Sequence, residues 1–174
     1  MRLVGVAAGV CAVVLALAGC SETVDGQPEV SGAPLTKEQL FDPCTVPDSA
    51  LEAAGLDPAS KNDNLFSVPR AAWKGCAWRA DSYYISLIST TYTMDEVRAN
   101  DRHHGFKDVS VGDRTAVQYY VGNETAPVEC DITFETGQGR IMLNANKFVD
   151  DKSTTDPCSL AENAAPFFVD LIPR

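Results

Sequence analysis

Four cysteines constrain how this chain can fold more than any other feature of its sequence. They lie at Cys44, Cys76, Cys130 and Cys158. No two of them have the C-x-x-C spacing that is typical of a thioredoxin-like redox site or a zinc knuckle. In an oxidising compartment an even set of this kind predicts two disulfides, whereas in a reducing compartment the thiols would stay free. The compartment therefore has to be established before the cysteines can be interpreted.

The first 19 residues have the features of an export signal. Arg2 supplies a positive charge, and residues 3–17 are almost wholly small and apolar. This run of about 15 residues is too short to cross a hydrocarbon core, which needs about 20. The pattern is typical of a secretory signal peptide, so we expect residues 1–19 to be removed.

The signal ends in Leu17-Ala18-Gly19-Cys20, which resembles the lipobox of bacterial lipoproteins. The resemblance implies that the Cys20 thiol is acylated, that the chain is cut before it, and that the protein is held on the extracytoplasmic face of the cell membrane. Each buried methylene of such an anchor contributes about 0.8 kcal/mol, so attachment by several acyl chains is effectively permanent. Residues 20–34 are polar and contain repeated Gly and Pro, which predicts a flexible tether. A single domain is then expected over residues 35–174.

The charge balance restricts the partners of that domain. The chain has 14 basic and 24 acidic residues, a formal net charge of −10 at pH 7. Removal of the signal takes away Arg2 and no acid, which leaves 13 − 24 = −11. Nucleic acid and anionic lipid headgroups both require clustered Lys and Arg, so neither is an expected partner. The remaining partners are the membrane, through Cys20, and an envelope protein or a small ligand.

Hydrophobic periodicity predicts an α+β domain, with an antiparallel sheet of about five strands and flanking helices. The stretch from Tyr83 to Tyr92 has the highest β-propensity in the chain. Thr93 and Glu96 form the pattern of a capping box, which predicts a short helix to about Asp101, with His103 and His104 just after its end. The other predicted strands are 73–80, 108–120 with a bend at Gly112-Asp113, 128–135 and 140–149; the other helices are 47–54 and 159–171, and 57–68 is a polar loop.

The positions of the four cysteines favour one disulfide connectivity and leave one main alternative. Cys76 and Cys130 lie in predicted strands, and Cys44 and Cys158 each follow a proline near the start of a helix. Pairing like with like gives Cys76–Cys130 in the core and Cys44–Cys158 between the first and last helices. The sequential pairing, Cys44–Cys76 with Cys130–Cys158, is the alternative, since sequence alone does not choose among the three possible connectivities of four cysteines.

The order of several short motifs resembles an actinobacterial lipoprotein family with a DUF3558-type domain of unknown function. The resemblance covers nearly the whole mature chain and implies an envelope lipoprotein with paired cysteines; the family supplies no catalytic motif. The matching motifs are the lipobox at Cys20, Phe41-x-Pro43-Cys44, Cys76-x-Trp78, Gly112-Asp113-Arg114-Thr115-Ala116, Cys130 at the head of a strand, Pro157-Cys158 at the head of a helix, and Leu171-x-Pro173.

Few residues offer catalytic or metal chemistry. His103 and His104 are the only histidines, and a metal or hydrolase site would need one of them with Glu96 or Asp101. Adjacent histidines rarely point at one spot, and the chain has no G-x-S-x-G elbow. The acidic residues near Asp63 and Asp150 do not have the spacing of a calcium loop. We therefore expect no metal, no cofactor and no catalytic residue.

Aromatic residues are the best candidates for a ligand groove, although core packing and cross-strand pairs are the simpler interpretation. The leading hypothesis is a non-catalytic surface lipoprotein that binds a partner protein or a small envelope ligand. The alternatives are a metal- or carboxylate-dependent envelope hydrolase using His103 or His104, and a passive structural surface protein. The candidate aromatic residues are Trp73, Trp78, Tyr83, Tyr84, Tyr119 and Tyr120.

Overall fold

The computed structural model describes residues 35–65 and 70–174. The predicted signal peptide, the lipidation site Cys20 and the predicted tether over residues 20–34 lie outside the described residues. Within residues 35–65 and 70–174, no helix is long and apolar enough to cross a membrane.

Seven antiparallel strands form one sheet. They are β1 (Asp57–Asn62), β2 (Trp73–Arg79), β3 (Tyr83–Thr90), β4 (His103–Val111), β5 (Arg114–Val121), β6 (Glu129–Thr136) and β7 (Gly139–Lys147). Their order across the sheet is β1-β2-β3-β7-β6-β5-β4. After β3 the chain crosses to the far edge, begins β4 there, and returns strand by strand until β7 pairs with β3. The sheet edges are therefore β1 and β4.

Short helices connect and cover the strands. They are α1 (Asp48–Ala53), α2 (Met94–Arg98) and α3 (Pro157–Ala164), with 3-10 turns at Lys37–Gln39, Pro43–Thr45 and Ala165–Phe167. The capping box of α2 is confirmed: the Thr93 N–H donates to Oε2 of Glu96 at 2.7 Å, and the Glu96 N–H donates to Oγ1 of Thr93 at 3.2 Å. At the start of α3, Oδ1 of Asp156 accepts from the N–H groups of Cys158 and Ser159.

The main hydrophobic core lies on one face of the sheet, beneath α1 and α3. Leu51 from α1 and Phe168 after α3 pack against apolar side chains that alternate along the central strands. A smaller core lies on the opposite face, where Val97 of α2 packs with Tyr119 and Val121. The fully buried strand residues of the main core are Cys76, Trp78, Ile85, Leu87, Ile132, Phe134, Ile141, Leu143 and Ala145.

The prediction of about five strands is wrong for two reasons: β1 lacks a strand signal in the sequence, and one predicted strand is a hairpin of two strands. Strand β1 has no apolar alternation and contains Pro58; it is held at the sheet edge by pairing with β2, where Pro is tolerated. The Gly112-Asp113 break is a two-residue hairpin turn, since Val111 pairs with Arg114 across it and Gly112 has a φ of 60°. One predicted strand with a bend is therefore two strands, β4 and β5.

Two helix predictions are also too long. Helix α2 ends at Arg98, and His103 and His104 are the first residues of β4 instead of the residues after a helix. His103 pairs with Val121 and His104 with Tyr120, so pairing with β5 decides their conformation. Helix α3 ends at Ala164 and tightens into a 3-10 turn, because Pro166 cannot supply the N–H that an α-helix needs there.

The like-with-like cysteine pairing is wrong, and the sequential alternative is found. The disulfides join Cys44 to Cys76 and Cys130 to Cys158, with Cα–Cα distances of 5.2 and 5.0 Å. Strands β3 and β7 lie between β2 and β6, so three inter-strand steps of about 4.8 Å separate the strands of Cys76 and Cys130. That separation is about twice the 7 Å limit that a disulfide can bridge between Cα atoms.

The Gly-Asp-Arg-Thr-Ala motif attaches the C-terminal segment to the sheet. Arg114 is buried, and its Nη1 donates to the carbonyl oxygens of Val169 and Ile172, both at 3.2 Å. Its neighbour Asp113 pairs with the guanidinium of Arg174 at 2.9 Å. Hydrogen bonds from a charged donor are among the stronger ones, and these bonds hold the C-terminal segment on the sheet. The motif therefore has a structural role.

Candidate functional site

Polar side chains are concentrated on the outer face, by which we mean the side of the sheet opposite α1 and α3. Ser86 of β3 pairs with Asn144 of β7, and Asn144 pairs with Asp131 of β6. Directly paired residues on adjacent strands project from the same face of a sheet. All three are at least nine-tenths buried, with exposures of 8%, 6% and 6%. The outer face therefore carries a buried polar row in place of an apolar one.

The Asn144 amide connects two carboxylates within this row. Its Nδ2 donates to Oε1 of Glu129 at 2.8 Å and to Oδ1 of Asp131 at 2.6 Å. Both amide protons are thereby used, and the amide is fixed in one orientation. On the other side of Asp131, the Tyr119 phenol accepts from Oγ1 of Thr133 at 3.1 Å. The result is a hydrogen-bonded cluster within the buried polar row of the outer face.

Burial dominates the electrostatics of this cluster. It raises the pKa of the Asp131 carboxyl to about 7; the hydrogen bond from Asn144 opposes this shift, and the nearby charge of Glu129 adds to it. Burial likewise raises the pKa of the Tyr119 phenol, with a further contribution from the Asp131 charge. Asp131 is thus a carboxyl that changes protonation near neutral pH.

An open groove of about 560 Å³ lies on the outer face beside this cluster. We call it the outer-face groove. Ser86, Asn144 and Asn146 contribute to its floor from β3 and β7, and the segment after β7 forms one wall. The lining residues are Asn62, Leu65, Ala77, Arg79, Tyr84, Ser86, Asn144, Asn146, Lys147, Phe148, Val149 and Asp150.

The Phe148 ring contacts two other lining residues, Tyr84 and Arg79. The rings of Tyr84 and Phe148 have centroids 4.7 Å apart at an interplanar angle of 56°. The Arg79 guanidinium carbon lies 4.9 Å from the centroid of the Phe148 ring. The contact with Phe148 restricts the Tyr84 ring, although 43% of Tyr84 is exposed.

Several polar groups of the groove have no side-chain hydrogen-bond partner among the described residues. Across residues 35–65 and 70–174, no side-chain hydrogen bond engages the Asn146 amide, the Ser86 hydroxyl or the Arg79 guanidinium, and the Tyr84 hydroxyl is equally free. Lys147 differs, since its Nζ donates to the carbonyls of Ser153 at 2.7 Å and Thr155 at 3.1 Å. The groove therefore presents free donors and acceptors on a fixed frame.

The two histidines are not brought together. Being consecutive in β4, they project from opposite faces of the strand. Nδ1 of His103 lies 2.8 Å from the Val97 carbonyl oxygen, and the ring packs 4.8 Å from that of Tyr119. The His104 ring stacks on Tyr120 at 5.7 Å. Among the described residues, no group of three or more His, Cys, Asp or Glu side chains converges as metal ligands would.

The aromatic candidates separate into core and groove. Trp78 and Tyr119 are buried, Trp73 packs edge-on against Tyr92, and Tyr120 donates to Oδ2 of Asp156 at 2.9 Å. Only Tyr84 of the six candidates lines the groove. Five residues of the cluster and groove are not predicted from the sequence, although alternation in the predicted strands could place the first four on one face: Asp131, Glu129, Asn144, Asn146 and Arg79.

The fold and site define a class of small, mostly sheet domain with a few short helices, more sheet-rich than the expected α+β plan. Its seven-stranded antiparallel sheet is joined to its flanking elements by two disulfides and carries an open polar groove on its outer face. The chain belongs to the family described as Protein of unknown function (DUF3558), which it matches over residues 15–170. No curated protein matches the chain, and no solved structure does. The predicted family is therefore confirmed, and its lipoprotein character stays a prediction.

Proposed function

We propose that this protein is a cell-envelope lipoprotein, anchored through acylated Cys20, whose domain binds a ligand in the outer-face groove without converting it chemically. The observation that supports binding is the set of free polar groups on the groove floor and wall, held in place by strands and stacked rings. Binding sites of this kind are concave, largely preformed, and carry a few converging polar groups.

The geometry does not favour the hydrolase alternative. In the part of the chain that the structure describes, neither imidazole hydrogen-bonds to a carboxylate or hydroxyl, as a general base in a hydrolase would. Asp131 is 6% exposed, so a substrate has little access to its carboxyl group. A passive structural role would not explain why free donors and acceptors converge on one concavity.

The anchor is tested by substituting the acylated cysteine in the full chain. We expect Cys20→Ala to move the protein from the membrane fraction to the soluble fraction, because the thiol that carries the lipid is lost. Fractionation followed by immunoblotting measures this. Cys11→Ala is the matched control, since Cys11 lies within the predicted signal and should leave the distribution unchanged. A Cys20→Ala protein that stays with the membrane would contradict the lipoprotein proposal.

Ligand binding in the groove is tested by filling it. We expect native mass spectrometry of the protein, gently purified from its own envelope, to show an additional bound species. Ser86→Tyr should abolish that species, because the new ring occupies the floor of the groove. Ser110→Tyr, on the same face but at the exposed edge strand β4, is the matched control and should retain it. Retention of the species by Ser86→Tyr would refute the proposed site.

A further inference from the structure

We infer that the outer-face groove binds an uncharged saccharide; this rests on the proposed function, which makes the groove a ligand site. The feature that points to a saccharide is the partly exposed ring of Tyr84, which lies next to the Asn146 amide and near the Ser86 hydroxyl. The amide and the hydroxyl can each donate and accept hydrogen bonds.

The free polar groups match the chemistry of sugar hydroxyls. An amide offers both an N–H donor and a carbonyl acceptor, and a hydroxyl does both at one atom. Asn146 and Ser86 are free, and Asn144 beside them, whose two N–H groups are both engaged, has its amide orientation fixed. Paired side chains on adjacent strands repeat at about 4.8 Å, a spacing comparable to the width of one sugar ring. A row of vicinal hydroxyls laid across β3 and β7 would meet one such group per strand.

Tyr84 supplies an apolar surface for the ring of the sugar. Its cross-strand partner on β7 is Asn146, so the aromatic ring and a free amide are direct neighbours. The Phe148 ring, 4.7 Å away, restricts the movement of the Tyr84 ring. The C–H face of a pyranose packs on an exposed aromatic ring of this kind, and the phenol oxygen remains available to its hydroxyls.

Charge argues that the saccharide is uncharged. Two cationic side chains line the groove, Lys147 and Arg79. The Lys147 ammonium donates to two carbonyl oxygens, so of these two cations only Arg79 has N–H groups available to a ligand. Asp150 lies at the rim, and Glu129 and Asp131 project from the same face of the sheet on the neighbouring strand β6, beside the floor. These carboxyl groups, in a chain of net charge −10, would repel a polyanionic glycan. Arg79 is then a hydrogen-bond donor to hydroxyl oxygens.

The test is calorimetric titration of the full chain, exported and purified in a detergent without a sugar headgroup. The probes are the neutral tetrasaccharides maltotetraose, cellotetraose, chitotetraose and mannotetraose, with tetragalacturonate as the polyanionic comparison. We expect saturable binding of at least one neutral probe and none of tetragalacturonate. Tyr84→Ala should weaken that binding at least tenfold, and Tyr84→Phe, which keeps the stacking ring, should weaken it less.

The matched control is Tyr92→Ala. Tyr92 is 41% exposed, close to the 43% of Tyr84, but it lies outside the groove against Trp73. Its loss should change the affinity less than twofold. Asn146→Leu provides a second variant should Tyr84→Ala fail to fold, and thermal unfolding checks both. The inference is overturned if no neutral probe saturates up to about 10 mM, if tetragalacturonate binds best, or if both groove variants bind like the wild type.

The two proposals can fail separately. If the neutral probes do not bind but the co-purified species is lost from Ser86→Tyr, the groove remains a ligand site and only its saccharide assignment is wrong. If Ser86→Tyr retains the species, the site itself is wrong and this inference falls with it.

Discussion

Replacing both Cys130 and Cys158 by alanine should lower the free energy of unfolding by about 3–4 kcal/mol, because the closed loop no longer restricts the unfolded chain. The two residues are 28 positions apart in sequence, and both are buried where α3 packs on β6. The bridge also holds the start of α3 on the sheet, so its loss should loosen the whole C-terminal layer. Urea unfolding of the wild type and the variant, followed by circular dichroism, measures the difference.

A crossed variant makes this experiment a test of connectivity as well. In the Cys130→Ala/Cys158→Ala protein the other bridge is intact, and thiol titration after unfolding should find no additional free thiol. Cys76→Ala/Cys130→Ala removes one partner from each bridge, so it should expose two additional thiols and lose both contributions to stability. Two additional thiols in Cys130→Ala/Cys158→Ala and none in Cys76→Ala/Cys130→Ala would show that the like-with-like pairing forms in solution.

Asp131→Asn should change how stability depends on pH. The folded pKa of about 7 lies above the ordinary value of 3.8, so the folded state retains a proton that the unfolded state has released. The stabilising contribution is fully present below about pH 4 and is lost as the pH rises to about 7. A shift of about 3 units corresponds to at most about 4 kcal/mol. The neutral amide does not titrate, so the variant should be more stable than the wild type at pH 8.

The physical reason for this gain is the removal of a buried negative charge. An asparagine at position 131 can still accept from Nδ2 of Asn144 through its own oxygen. Urea unfolding at pH 5 and pH 8 gives the difference for each protein. Asp150→Asn is the control, because Asp150 is exposed at the groove rim and its substitution should leave the pH dependence as in the wild type. A wild type equally stable at both pH values would contradict the prediction.

Local signals account for the elements that were predicted well. The predicted strands 73–80 and 83–92 are found as Trp73–Arg79 and Tyr83–Thr90, because the alternation of the first and the high β-propensity of the second are local properties of each strand. The capping box at Thr93 and Glu96 is equally local, since the two residues hydrogen-bond to each other's backbone. Strand β1 could not be predicted this way, because its conformation depends on the pairing that β2 offers.

The candidate site shows the same division. Asp131 and Asn144 lie in two predicted strands that the hairpin turn at Gly137-Gln138-Gly139 joins, so their adjacency could be predicted from the sequence, but their burial could not. Adjacency makes the Asn144 amide a bridge between two carboxylates, and burial follows from the packing around it. Tyr83 and Tyr84 are consecutive in β3 and project from opposite faces of the sheet, and only Tyr84 lines the groove.

What the sequence determined by itself is the part set by neighbouring residues: strand and helix character, the capping box, four cysteines suited to disulfides, and the motifs of the family. The tertiary structure alone decided which cysteines pair, since β3 and β7 separate Cys76 from Cys130. It also decided which polar groups are buried and which face the groove. These properties depend on the order of strands across the sheet, which results from contacts between residues distant in sequence.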